Sequence, residues 1–153
     1  MYRPAIVRPR VLLVVSHPSV GEGLETILRL ERRYEVRRTA RLTEAVSLAG
    51  SWPADIALVD SLLLRGGDRA NLGVPSLVLA AGPAEAASAE RSLERSGGWV
   101  AKDAPAADLV SAVERLLTRP AETPAGSLAL FGIGLLLVVL VALLLYLIWT
   151  AVA

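Results

Sequence analysis

The sequence predicts an α/β domain with a doubly wound parallel sheet, followed by a single transmembrane helix. Over residues 10–118, strand-like apolar runs alternate with stretches whose apolar residues recur at helical spacing. That alternation is typical of parallel strands joined by crossover helices. Residues 128–152 form an almost unbroken apolar run, and no charged side chain follows Glu122. This run accounts for a hydrophobic content of 54%, which is above the globular norm.

Five segments have the composition of strands. They are residues 11–15, 34–39, 56–59, 76–80 and 99–101. The first, VLLVV, is continuously apolar, as expected for a strand that is buried on both faces. The third leads directly into Asp60 and the fifth into Lys102, so each is followed by a charged residue.

The segments between these strands predict helices. Apolar residues at helical spacing, or an Ala- and Glu-rich composition, assign helices to residues 18–28, 42–49, 84–96 and 109–117. Pro18 suits the first turn of the first helix, with Ser16 or His17 as its cap. The segment 61–73 contains three glycines and predicts a loop with at most a short helix.

This order of elements predicts a doubly wound, flavodoxin-like sheet with strand order 2-1-3-4-5. Five strands alternate with five helical segments, of which the third is the glycine-rich one. In such sheets, ligands bind at the carboxyl ends of the strands. We therefore expect a site formed by the residues at those ends, which are Val15, Ser16, Asp60, Ala80 and Lys102.

The C-terminal run has the length of a membrane span. As a helix, residues 128–152 would extend roughly 37 Å, and only a helix satisfies its own backbone in lipid. Residues 119–127, RPAETPAGS, form a linker, and residues 1–9 form an N-terminal arm. Arg115 and Arg119 precede the run, and no charge follows it. The positive-inside rule then predicts a single-pass protein of the cytoplasmic membrane, with its N-terminal domain in the cytoplasm.

Several functional classes are not expected from this composition. The chain has no Cys, which excludes a disulfide scaffold and fits a reducing compartment. We predict no signal peptide, since only VLLVV follows the basic N-terminus. No basic recognition helix or aromatic set predicts nucleic-acid binding. His17 is the only histidine and lacks triad partners, and Gly21 and Gly23 do not complete a dinucleotide fingerprint. We therefore expect no enzyme activity.

Residues 29–41 are strongly basic. They carry six Arg against two Glu. Such a run forms either an ordinary solvated surface or a patch that faces anionic lipid or an acidic partner. The sequence leaves both interpretations open.

Four pieces of the chain, taken in order, resemble the receiver domain of bacterial response regulators. They are VLLVVSHPSV, PADIALVD, VPSLVLAAG and KDAPAADLVSAV, and the resemblance covers roughly residues 10–118. It implies that Asp60 corresponds to the phosphorylated aspartate and Lys102 to the lysine that bonds the phosphoryl group. It also implies that Trp99 takes the place of the switch aromatic residue.

The chain departs from that family at the positions that carry the chemistry. The two metal-binding acids fall on Val15 and Ser16, and the switch Thr or Ser falls on Ala80. Phosphorylation of an aspartate needs Mg²⁺, which prefers several oxygen ligands. We therefore predict a degenerate pseudo-receiver with weak or absent Mg²⁺ binding and no cofactor. Asp60 and Lys102 would then form an ion pair that joins two loops.

The predicted function is signal transduction by protein–protein contact. A membrane-anchored degenerate receiver would bind a kinase, a regulator or another receiver, and residues 128–152 would contact membrane lipid. Two alternatives stay open. The chain could be an accessory subunit of a larger membrane complex, or a phosphorylatable receiver of a two-component phosphorelay with Asp60 as the acceptor.

Overall fold

The computed structural model describes residues 7–119, which form a five-stranded parallel sheet flanked by helices. The strands are β1 (Arg10–Val14), β2 (Glu35–Thr39), β3 (Ile56–Asp60), β4 (Ser76–Ala80) and β5 (Ser96–Ala101). The α-helices are α1 (Pro18–Leu30), α2 (Leu42–Ser51), α3 (Pro83–Arg91) and α4 (Ala106–Thr118). The strand order is β2-β1-β3-β4-β5, which confirms the predicted topology.

Helices cover both faces of the sheet, so its central strands are buried on both sides. Every residue of β3 and β4 is buried. Alternate residues point to opposite faces, so Leu13 and Leu58 pack with α1 and α4, whereas Leu12 and Val59 pack with α2 and α3. Each fully buried Leu or Val contributes about 1.5–3 kcal/mol relative to exposure. The apolar runs of the sequence therefore account for the two cores.

The connection between β3 and β4 contains no full α-helix, as the glycines predicted. A 3₁₀ helix, Ser61–Leu64, follows β3 directly. Gly67 and Gly73 then adopt φ values of 79° and 71°, a region that favours glycine. The short connection keeps the 3₁₀ helix next to the carboxyl end of the sheet.

Two predicted boundaries near β5 are wrong. The helix predicted over residues 84–96 ends at Arg91, and the strand predicted to begin at Trp99 begins at Ser96. Gly97 and Gly98 follow Ser96 at the start of this strand. They made the start hard to predict, because glycine has little strand propensity. Gly98 has φ 112°, and a Cβ at Gly97 would collide with Leu116 of α4. Close packing of β5 on α4 therefore requires glycine here.

The N-terminal arm, the linker and the C-terminal run fall largely outside the described residues. The transmembrane helix predicted over residues 128–152 lies entirely beyond Arg119, where the description ends. Among residues 7–119, no helix is long and apolar enough to cross a bilayer.

Candidate functional site

The sequence-predicted site residues meet at one edge of the sheet. Asp60 and Ala80 are the last residues of β3 and β4, and Lys102 directly follows β5. Val15 and Ser16 follow β1. Because parallel strands all end at the same edge, these residues converge although up to 87 positions separate them. We call this edge the carboxyl edge.

Asp60 is the buried centre of the site. It is 3% exposed, and its Oδ1 lies 2.7 Å from Nζ of Lys102. The same oxygen accepts a hydrogen bond from the amide of Leu62 at 3.1 Å and so caps the 3₁₀ helix. The hydroxyl of Ser16 donates to Oδ2 at 3.5 Å, which is a long hydrogen bond. Both carboxylate oxygens therefore already have partners within the chain.

The positions that would carry metal ligands in receiver domains do not present them. Val15 is 2% exposed, and its side chain belongs to the core that packs against α1 and α4. Ser16 supplies only a neutral hydroxyl. Among residues 7–119, no group of three or more His, Cys, Asp or Glu side chains is placed to hold a metal. Asp60, already paired with an ammonium, does not by itself fit the oxygen ligation that Mg²⁺ requires.

Ala80 and Trp99 occupy the two switch positions. Ala80 is fully buried and has no hydroxyl to bond an anion. Trp99 is 39% exposed and pairs in register with Val78 of β4, so its indole lies on the face covered by α2 and α3. The aromatic ring is thus available at the surface, but the hydroxyl with which a switch aromatic would be coupled is missing.

His17 takes the N-cap position of α1, one of the two positions predicted, without a side-chain capping bond. Its Nδ1 instead shares a hydrogen bond with Oγ of Ser19 at 2.9 Å. The histidine is exposed and contacts neither Asp60 nor Lys102 through a hydrogen bond or ion pair. Its geometry assigns it no part in the site.

Sequence reasoning missed Glu85, a second carboxylate of the site. It lies in the first turn of α3 and accepts hydrogen bonds from the hydroxyl of Ser61 and, at 3.2 Å, from the amide of Ala81. Arg65 lies 3.5 Å from its Oε1 and Lys102 4.0 Å. The available signal was local: a Pro followed two residues later by Glu is typical of a helix N-terminus.

These contacts make Glu85 a more acidic carboxyl. The hydrogen bond from Ser61 is the largest cause of its lowered pKa, followed by the amide of Ala81, while partial burial opposes the shift. The charges of Lys102 and Arg65 lower the pKa further. Glu85 therefore stays ionised and adds a negative charge beside Asp60.

Structural comparison places the domain among receiver folds. A crystal structure of a protein classed as a response regulator from Chloroflexus aurantiacus matches with a TM-score of 0.62 and 24% identity, covering 74% of this chain and 100% of that one. A two-component response regulator of the LuxR family from Aurantimonas matches with a TM-score of 0.56 and 26% identity, covering 78% and 92%. A receiver domain from Bermanella marisrubri gives a TM-score of 0.59 at 16% identity, covering 73% and 100%.

No family model matches the sequence, and no curated protein matches it either. The structural matches, at 24%, 26% and 16% identity, rest on the fold. Residues 7–119 therefore have the fold of response-regulator receiver domains.

Proposed function

We propose that this protein is a membrane-tethered, degenerate receiver that acts in signal transduction by binding a protein partner, without phosphotransfer. The observation that carries the proposal is the ion pair between Asp60 and Lys102, closed on one side by Glu85 and on the other by Ser16. The equivalent of the phosphoacceptor is thereby part of an internal network.

The charge balance of this network disfavours phosphorylation. An incoming phosphoryl group would bring anionic oxygens next to two carboxylates, Asp60 and Glu85, that share one ammonium. Lys102 has its shortest contact to Asp60, and the neighbouring Arg65 faces Glu85. Without a divalent cation, like charges at these distances disfavour a further anion. Such a site does not provide the electrostatic stabilisation that phosphoryl transfer requires.

The same network suits a docking module with a fixed surface. Glu85 joins the start of α3 to the 3₁₀ helix through Ser61 and to the residue after β5 through Lys102. Side-chain contacts thus hold three segments of the carboxyl edge together without a phosphoryl group. The segments are the 3₁₀ helix, the start of α3 and the residue after β5. A partner that binds this edge would find the same arrangement of side chains with or without a phosphorylation signal.

Membrane tethering is supported by the composition of residues 128–152. The run is long enough to span the hydrocarbon core and carries no charge. A domain that has the receiver fold and is anchored in this way would act next to the membrane, where its partner would be another membrane protein or a protein recruited there.

Copurification from membranes tests the proposal. The full chain, affinity-tagged at its N-terminus, is recovered from gently solubilised membranes of its own host, side by side with Asp60→Asn. We expect the same specific partner in both samples, because binding does not depend on a phosphoryl group. A partner that is lost with Asp60→Asn, and recovered only from cells with an active kinase, would favour the phosphorylatable receiver instead.

A further inference from the structure

The edge of the sheet opposite the candidate site is rich in arginine. Strands begin and helices end at this edge, and two adjoining grooves of 570 and 620 Å³ share the residues Arg8, Arg32 and Tyr34. We define the basic edge by six arginines on or near these grooves and on the last turn of α4. They are Arg8, Arg29, Arg32, Arg33, Arg115 and Arg119.

Most of this charge is not neutralised within the described residues. Arg29 pairs with Glu25, and Arg33 pairs with Glu31 and Glu114. Arg8, Arg32, Arg115 and Arg119 have no carboxylate within 4.0 Å among residues 7–119. These four are distributed over the N-terminal segment, the turn after α1 and the end of α4. The basic edge therefore presents a net positive surface.

Arg32 stands where the backbone favours glycine. It has φ 51° and is the only non-glycine residue with positive φ in the described part of the chain. Helices commonly end with a glycine at this position, since other residues are strained there. The chain thus tolerates backbone strain while presenting a guanidinium at the tip of the turn.

Apolar side chains stand exposed among these arginines. Val7 is 88% exposed and adjoins Arg8, and Leu30 is 74% exposed at the end of α1. They are the two most exposed of the large hydrophobic residues in the described structure. Basic residues interleaved with exposed aliphatic ones are typical of surfaces that lie in the headgroup region of a membrane.

The basic edge includes the residues that precede the predicted anchor in the sequence. Helix α4 ends at Thr118, which lines a groove together with Val7 and Arg8. The apolar run begins at residue 128, nine residues after Arg119. Fully extended, nine residues reach only about 30 Å. Attachment at such short range gives the basic edge a high effective concentration at the bilayer.

We propose that the basic edge docks on the anionic headgroups of the membrane that holds residues 128–152. This inference rests on the membrane tether of the proposed function. Docking would turn the opposite, carboxyl edge away from the bilayer, so that the partly exposed Lys102 and Glu85 face partners in solution. The favoured ligand is a lipid surface rather than an acidic protein, because the exposed aliphatic residues and the short tether both point to the bilayer.

The absence of cysteine makes a direct test possible. The full chain is reconstituted, one copy per lipid nanodisc, with a fluorophore on Leu30→Cys or, as the matched position at the carboxyl edge, on Leu62→Cys. Discs contain phosphatidylcholine alone or with a third of phosphatidylglycerol. Quenching by headgroup-level nitroxide lipids then reports how close each label lies to the bilayer. Resistance to alkaline extraction is measured first, since it tests the tether independently.

We expect quenching at position 30 only in anionic discs, its loss in high salt, and little quenching at position 62. The double variant Arg8→Gln/Arg32→Gly should lower the ratio of docked to free domain about fivefold for each arginine removed. Glycine at position 32 relieves strain, so the variant should fold. The control variant Arg41→Gln, compared with Arg8→Gln alone, removes the same charge from the carboxyl edge, where Arg41 precedes α2. It should dock normally.

Four results would overturn the inference. Equal quenching at both positions, or quenching that ignores lipid charge, would show that the basic edge does not face the headgroups. If the label at position 30 is buried only in discs that hold two copies of the chain, the basic edge is an interface between those copies. Extraction of the chain at alkaline pH would show that it has no membrane tether, and the inference would fail. The proposal about Asp60 would still be tested separately.

Discussion

The ammonium of Lys102 lies 2.7 Å from Oδ1 of Asp60 and 4.0 Å from Oε1 of Glu85, and Arg65 lies 3.5 Å from the same oxygen of Glu85. Asp60 is nearly inaccessible, whereas Lys102 and Glu85 are partly exposed. The three side chains come from β3, the segment after β5, and α3. The arrangement joins three segments at the carboxyl edge and pairs Lys102 with Asp60.

Removing the charge of Lys102 should destabilise the domain more than removing the charge of Asp60. Lys102→Met leaves the buried Asp60 carboxylate without its ammonium and should lower the free energy of unfolding by about 2–3 kcal/mol. Asp60→Asn keeps a hydrogen-bonding side chain at that position and should cost about 1 kcal/mol. Urea unfolding of the full chain in detergent, followed by tryptophan fluorescence, measures both. Equal losses of unfolding free energy in the two variants would show that Lys102 is not needed to balance the buried carboxylate of Asp60.

The stabilisation by Glu85 should depend on pH. Its pKa in the folded domain lies below the ordinary value of 4.5. Its contribution is therefore fully present above pH 4.5 and is lost as the pH falls through the lower, folded-state pKa. Glu85→Gln should be less stable than the unmodified protein near neutral pH, and the difference should shrink in acid.

Urea midpoints measured over a pH series check this expectation. Glu90→Gln, on the same helix but without an ion pair among the described residues, is the matched control. A stability difference that grows as the pH falls would contradict the assigned role of Glu85.

Restoring acids at the positions after β1 should rebuild a cation site at a cost in stability. Val15→Asp/Ser16→Asp places two carboxylates beside Asp60 and should strengthen Mg²⁺ binding, which titration calorimetry can follow. Without metal, the variant should be markedly less stable, because like charges would crowd the edge and Val15 would leave the core. Ser16→Asp alone, at an exposed position, serves as the milder control. An unchanged Mg²⁺ affinity in the double variant would refute this account of the site.

The charge distribution predicts that the C-terminus lies outside the cytoplasm. Arg115 and Arg119 precede the apolar run, and no charge follows it. A reporter that is active only outside the cytoplasm, fused after Ala153, should be active, and the same reporter fused to the N-terminus should not. The reverse pattern would require an inverted topology.

The topology was predictable because the apolar pattern and the helix spacing both survive in the sequence. VLLVV and SLVLA are buried strands as their composition suggests, and the residues that follow strands meet at one edge. The start of β5 was hidden, since Gly97 and Gly98 are set by close packing on α4 and by a positive φ rather than by strand propensity. These constraints are tertiary and leave no local pattern.

The polar network was only half predictable. The resemblance paired Asp60 with Lys102, because both follow strands of the same sheet. Glu85 was not joined to them, because its contact with Lys102 depends on where α3 begins. Of the arginines of the basic edge without a carboxylate partner among the described residues, only Arg32 belongs to the basic run of residues 29–41. Arg8, Arg115 and Arg119 join it only in the folded domain.

Phosphate incorporation tests directly whether Asp60 accepts a phosphoryl group. The full chain in detergent is incubated with acetyl phosphate and Mg²⁺, beside Asp60→Asn and an active receiver domain as positive control, and intact mass is measured by electrospray. We expect a phosphate adduct on the active receiver and none above background on either form of this protein. A stoichiometric adduct on the unmodified chain that is absent from Asp60→Asn would contradict this expectation and would show that Asp60 is a working phosphoacceptor.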